Sequence, residues 1–298
     1  NSLDEPFADS SGILVNLLSR FARKRVKVAL SGDGADELFG GYNKHRALLR
    51  SLNSGMANSL LRGGSVFLQS LPASRNHSVF NKLRKVRRYS RGLKLDFKER
   101  YLEWASFTSR AEVEELLTKS SYTGNIEQLN FITKSLNKDE FNSVLEADFN
   151  LVLPNDMLTK VDVMSMHNSL EVRVPFLDHE LVDYVFSLPA SFKLNKNTGK
   201  SILKSAFGSE FPIGYFEGSK KGFEAPLTNW LKGPLKKRIE DLFSRKRIES
   251  QNIFNYEKIQ SLIKKVNSRA PGDAPHTMWA LLLFQYWYFR FIADQNTN

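Results

Sequence analysis

Residues 26–42 constrain this chain most. An apolar run, Val26 to Leu30, leads straight into Ser31-Gly32-Asp33-Gly34-Ala35-Asp36-Glu37-Leu38-Phe39-Gly40-Gly41-Tyr42. The run predicts a buried strand, and the glycine- and carboxylate-rich stretch predicts a turn into a helix beginning near Ala35. Small residues let backbone amides approach a polyanion, the helix start turns its positive end toward it, and the carboxylates can hold magnesium. Gly32 and Gly34 can equally serve only to supply positive φ. The acidic residues and the paired Gly40-Gly41 narrow the reading to a nucleotide site.

A second block lies downstream. It reads Leu153-Pro154-Asn155-Asp156-Met157-Leu158-Thr159-Lys160-Val161-Asp162, then Met164-Ser165-Met166, then Ser169-Leu170-Glu171-Val172-Arg173-Val174-Pro175-Phe176-Leu177-Asp178. The two motifs, in this order, resemble the signatures of the asparagine synthetase domain, an ATP-pyrophosphatase fold of the glutamine-dependent amidotransferases. The resemblance runs from Leu3-Asp4-Glu5-Pro6-Phe7 to the aromatic C-terminal helix, with no signature over 54–138. It implies an α/β fold, predominantly helical here: a partial adenine-nucleotide α-hydrolase-like (ATP-pyrophosphatase) domain with a helical C-terminal region. Residues 1–52 are then the remnant of the α/β core, 53–138 a variable, basic, helical insertion, and 139–298 the helical C-terminal part.

The same resemblance implies roles residue by residue. Ser31 and Gly32 match positions that bind ATP, and Gly34 joins them as a nucleotide contact. Asp33 stands where the family has an acidic residue, often Glu, implicated in forming a β-aspartyl-adenylate. The shorter Asp keeps the carboxylate with less reach and is expected to orient the reacting centre or the incoming ammonia, with a structural turn carboxylate as the alternative. Asp36 resembles a magnesium ligand, and Glu37 is expected to cap the new helix. Lys200, opening a helix, and Lys220, in a Lys-x-Gly-Phe pattern, are candidates for pyrophosphate contacts. Gly218 and Val163 depart from the family, which often has Arg at both. Glu171, Arg173 and Asp178 either line the cleft or form a buried ion-pair network. Met157, Met164 and Met166 read as core packing.

The family's first signature, a Ser-Gly-Gly-x-Asp-Ser loop with a further metal-binding aspartate, is expected upstream of Asp4. Its glutaminase domain, opened by a nucleophilic cysteine, is absent, and the chain has no Cys at all. The expectation is the C-terminal part of a longer protein, inactive alone. A lone parallel strand argues the same way, because its backbone needs neighbours on both sides. By resemblance the parent uses ATP and Mg2+ to amidate aspartate with ammonia from glutamine. The alternatives are an amidotransferase acting on another carboxylate, in polysaccharide or peptide biosynthesis, and a non-catalytic module. The expected partners are the missing N-terminal glutaminase region and a second copy in a homodimer.

Composition bounds the rest. The 298 residues are 41% hydrophobic and 25% charged, ordinary material for one large or two smaller globular domains. Zero cysteine excludes disulfides and suits a cytoplasmic protein. Residues 278–293 are apolar but interrupted by Gln285 and Arg290, which favours a buried helix over a membrane span. The net charge of +11 concentrates in Lys82, Arg84, Lys85, Arg87, Arg88, Arg91 and Lys94, beside Tyr89. Such a run can track a phosphate backbone, but no nucleic-acid signature accompanies it, so a solvated face or a surface meeting an acidic part of the longer protein is expected. Helical periodicity is expected at 13–21, after a cap at Asp9-Ser10. It is expected again at 97–105, 111–117, 125–136, 139–152, 180–187, 200–207, 227–243, 256–265 and 277–291, and 53–78 reads as a loop with weak helical pieces.

Overall fold

The computed structural model describes residues 4–52, 55–75, 78–121, 133–195, 198–216 and 222–293. Asp9 starts the first helix, α1 (Ser11–Ala22), by accepting from the Ser11 amide at 2.9 Å and the Ser11 hydroxyl at 2.6 Å. The chain then enters β1 (Val28–Leu30) and turns through 31–34 into the four-residue α2 (Ala35–Leu38). The partner of β1 is the second motif itself. Glu171–Arg173 forms β2, parallel to β1, with Val28 opposite Glu171 and Leu30 opposite Arg173. Glu171 N donating to Lys27 O at 3.0 Å and Ser31 N donating to Arg173 O at 2.8 Å extend the ladder at its two ends.

One expectation needs correction here. The strand is not buried, since Val26, Val28 and Leu30 are exposed, Leu30 by 73%. Among the described residues the sheet has only its two strands, so nothing covers those positions. Likewise α1 turns its apolar residues outward. Leu17, Leu18 and Phe21 are exposed, while Ser11, Gly12 and Ser19 are the buried positions. The small face is the one that lies on the second motif, and Met164 passes so close that a Cβ at position 12 would meet its Cε at 3.4 Å.

Most of what remains is helix. After α3 (Asn43–Ser51) come α4 (Met56–Gly63) and α5 (Ser65–Ser70), in a stretch expected to be mainly loop. The basic α6 (Ser78–Gly92) then packs on α5 and α7 (Phe97–Ala105), and α8 (Arg110–Leu116) opens with a full capping box between Ser109 and Glu112. Most of the helix expected over 125–136 lies outside the described residues. Next, α9 (Asn142–Val152) runs through a π-helical turn, Leu153–Leu158, into α10 (Thr159–Met166). After β2 and the short turn Pro175–Leu177 follow α11 (His179–Ser187), α12 (Ala190–Lys193) and α13 (Ser201–Phe207).

The end of the chain packs as α14 (Leu227–Lys232), α15 (Lys236–Leu242), α16 (Arg245–Gln251), α17 (Tyr256–Asn267) and α18 (Ala274–Tyr288). Gly233-Pro234 divides what reads as one helix over 227–243 into two, because proline cannot continue the ladder. Helix α18 is a core element, with Met278, Leu282 and Gln285 almost wholly buried. No helix of the described residues is long and apolar enough to cross a membrane.

Three apolar clusters hold the elements together. Leu227, Leu231, Ile248, Ile259, Met278 and Leu282 belong to the C-terminal one. A second joins Leu48, Tyr101, Trp104, Val144, Leu145 and Leu194, residues far apart in the chain. A third packs Ala35, Leu38 and Phe39 against Val185, Phe176 and Leu177, and so clamps the two motifs to each other.

Candidate active site

The turn after β1 is built by glycines with different duties. Gly34 has φ +86°, and a Cβ there would overlap Leu177, so both backbone and packing demand glycine. Gly32 is the opposite case: nothing lies within 4 Å of a Cβ built on it, which leaves open space above the turn. Ser31 donates its hydroxyl to the Asp33 carboxylate in a short hydrogen bond. Ser31, Gly32 and Asp33 therefore sit at the carboxyl end of a parallel strand with one exposed side, the place where open α/β sheets take ligands.

The structure brings two further expected residues together. Lys200 reaches Asp36 at 3.1 Å, and both side chains remain partly exposed. The approach depends on tight backbone packing. Lys200 N donates to Phe39 O at 2.9 Å, Lys200 itself takes φ +57°, and side chains at Gly41 or Gly199 would collide with Asp36 or with the Gly40 carbonyl. Gly40-Gly41 thus serves the docking of the Lys200 loop. Lys220 lies outside the described residues.

Several expected roles change. Glu37, in the first turn of α2, accepts from its own main-chain amide and is also buried, with a 2.5 Å hydrogen bond from the Tyr42 hydroxyl. Burial raises the Glu37 carboxyl, with the Tyr42 bond opposing, and burial beside Glu37 raises Tyr42 far above an ordinary phenol. Glu171 and Arg173 pair with each other at 2.7 Å but are exposed, because they occupy the outward positions of a strand that alternates sides. They form no buried network. Asp178 caps α11, accepting from Glu180 N at 3.1 Å and Leu181 N at 3.3 Å. Met166 is exposed rather than core, whereas Met157 accepts from Lys160 Nζ at 3.4 Å.

The basic run is a solvated face only in part. Its arginines turn inward: Arg84 pairs with Asp273 at 3.1 Å, Arg91 pairs with Glu103, and Arg88 bonds main-chain carbonyls. Tyr89 stacks on Trp104 with centroids 5.1 Å apart. Lys82, Lys85 and Lys94 are the solvated members.

Two polar clusters beside the turn escaped the sequence reading. Fully buried Asp148, on α9, takes Lys44 Nζ at 2.6 Å and the Tyr101 hydroxyl at 2.5 Å on one oxygen and His45 Nε2 at 2.6 Å on the other. Burial alone would raise this carboxyl, but Lys44 and His45 hold it well below the usual range. The second cluster lies on the π-helical turn. Lys160 reaches Asp9 at 2.8 Å, and Asp156 faces the same pair. Burial and then the Asp9 charge push Asp156 up to about 6, while Lys160 overcomes burial to hold Asp9 low. A π-helical turn inside a helix is a recurrent mark of functional sites.

The family described as asparagine synthase matches residues 1–288. The chain belongs to the asparagine synthase family. It is 29% identical over 294 residues to glutamine-hydrolyzing asparagine synthetase 1 of Bacillus subtilis (strain 168), covering 96% of this chain and 44% of that protein. A putative glutamine-hydrolyzing asparagine synthetase of Mycobacterium bovis is 32% identical over 298 residues, 97% of this chain and 43% of its own length. The amidase chyE of Penicillium rubens is 32% identical over 110 residues, 35% of this chain and 16% of its own. The chain thus spans less than half the length of the two synthetases.

Proposed function

We propose that this chain is the nucleotide-handling part of a glutamine-dependent asparagine synthetase. In the reaction, an aspartate side-chain carboxylate attacks the α-phosphorus of ATP and expels pyrophosphate, and ammonia then displaces AMP from the acyl carbon. The observation that carries the reading is the open space over Gly32 at the carboxyl end of β1, bordered by the Ser31–Asp33 pair. Ser31 and the Gly32 and Gly34 backbone would hold the phosphates, and Lys200 and Lys220 would neutralise the leaving pyrophosphate. Asp33, held by Ser31, would orient the acceptor or the incoming ammonia.

Magnesium needs more donors than the described residues supply. Asp36 faces a lysine, and among the described residues no group of three or more His, Asp or Glu is gathered to hold a metal. The donor set does not by itself fit the ion, and Asp36 is proposed as one ligand to be completed from elsewhere in a longer protein. The exposed apolar side of α1 and β1 supports the same picture. Residues 1–52 would be part of an adenine-nucleotide α-hydrolase-like core whose other strands cover Leu17, Phe21 and Leu30. Residues 53–138 would be its basic insertion and 139–298 its helical remainder, and a cytoplasmic setting belongs to the same proposal.

The test uses the chain joined to an N-terminal glutaminase and first phosphate-loop region. Aspartate-dependent exchange of pyrophosphate into ATP is expected. Asp33→Asn should lower that exchange at least tenfold while ATP still binds; exchange at the original rate would remove Asp33 from the chemistry. The partial match to an amidase favours a second reading, amidation of a different carboxylate. Exchange driven by another acid and not by aspartate would establish it. No exchange with any carboxylate would leave a binding module.

A further inference from the structure

A cavity of about 320 Å³ opens where α6, α8, α17 and the loop 270–274 meet, and it shares no lining residue with the phosphate turn. Arg84, Arg87, Arg88, Arg91, Lys258 and Lys265 line it, against the three carboxylates Glu112, Glu115 and Asp273. Those carboxylates are already engaged. Asp273 pairs with Arg75 at 2.9 Å and Arg84 at 3.1 Å, Glu115 pairs with Lys258 at 2.7 Å, and Glu112 caps α8 with Lys265 3.8 Å away. Arg91 is taken by Glu103.

Arg87 and Arg88 differ. Their guanidinium groups donate to main-chain carbonyls, Arg87 to Leu71 and Arg88 to Glu103, Trp104 and Ser106, and among the described residues neither has a carboxylate within ion-pair reach. Burial pushes both below the ordinary arginine value, with the Asp273 charge opposing it from beyond ion-pair reach. Planar guanidinium forks match the oxygens of phosphate or carboxylate, and the volume suits a small molecule rather than a chain. Leu116 and Leu262 supply an apolar wall for a short carbon body. A nucleic acid is a poorer occupant, because the one aromatic ring of the basic run, Tyr89, is already stacked on Trp104.

We propose that this cavity is a second ligand site, taking a small dianion, a phosphate or dicarboxylate compound, held by Arg87 and Arg88. Binding there would tie α6 to the C-terminal helices without touching the nucleotide turn.

Titration calorimetry at constant ionic strength, set with chloride, tests this with inorganic phosphate in one arm and malonate in the other. Saturable binding of either is expected, and the arm that binds gives the headgroup class. Arg87→Ala should weaken it about tenfold or more, the loss of a charge-assisted contact, and Arg87→Lys should weaken it less. Lys94→Ala, at a solvated lysine of the same run that does not line the cavity, should leave it unchanged. Should Arg87→Ala lose its helical circular dichroism, Arg87→Gln carries the same comparison. The proposal fails if neither anion binds saturably, or if Lys94→Ala abolishes binding and Arg87→Ala does not. It also fails if a short single-stranded RNA binds through Arg87 where both small anions do not.

Discussion

Asp148 is wholly buried with Lys44, His45 and Tyr101 turned onto its two oxygens, so its removal leaves the Lys44 ammonium without its counter-charge and two further polar groups without their acceptor. Asp148→Ala should cost about 3–5 kcal/mol in urea unfolding, the usual price of breaking one side of a buried pair. The acid is depressed in the fold, so its contribution is complete above the unfolded value of 3.8 and is lost as pH falls through the folded one. Denaturation midpoints of wild type and Asp148→Ala should therefore converge as the pH drops well below 4. The two glycines of the turn separate in the same way. Gly34→Ala meets both φ +86° and Leu177 and should destabilise by more than about 2 kcal/mol. Gly32→Ala should change unfolding by less than about 0.5 kcal/mol yet weaken ATP binding in the longer protein. If unfolding reports equal losses for both, the open space over Gly32 has been misread. Residues 31–34 were legible in the chain as a turn between strand and helix, because clustered glycines after an apolar run mark one. Asp148 was not, since one acid among Val144, Leu145 and Phe149 carries no spacing that names its partners a hundred residues earlier.

At the scale of elements, α1 separates period from direction. Its periodicity predicted a helix over 13–21 and the helix is there, but periodicity says which residues share a face and not what covers it. Gly12 faces Met164, and Leu17 and Leu18 face outward, as do Val28 and Leu30 of β1. Strand β2 stayed hidden for a related reason. A three-residue strand with Glu and Arg at its ends has too little alternating pattern to stand out, and its place is fixed by pairing with β1. The bared apolar side sets a measurable expectation. Leu17→Lys with Phe21→Lys should leave the thermal midpoint of this chain nearly unchanged, because 55% and 68% of those residues is already in water. The same pair should shift the chain toward monomer in sedimentation velocity. A midpoint falling by many degrees would mean that the face is covered after all.

Across the whole molecule, Asp273 is the joint between the basic middle segment and the C-terminal helices. It precedes α18 and receives Arg75 and Arg84 from the chain around α6, with Gly272 N donating to Ala73 O at 2.8 Å beside it. The Thr108–Thr277 hydroxyl contact at 2.9 Å and the Lys258–Glu115 pair at 2.7 Å cross the same boundary, but the second is exposed and contributes little. The apolar clusters lie on either side of this joint, so the ion pairs couple two cores that are each internally packed. Burial would raise Asp273, yet Arg84 and Arg75 hold it below its ordinary value. Its stabilising share is therefore present above the unfolded value of 3.8 and lost as pH falls through the folded one. Asp273→Asn removes the charge at every pH while leaving two buried arginines facing a neutral amide. Hydrogen exchange should then show α17 and α18 opening at lower free energy than α9, whereas wild type is expected to open both together. Acid should bring wild type toward the variant's pattern. Equal protection of α9 and α18 in the variant would place the coupling of the two cores in apolar contact instead of in Asp273.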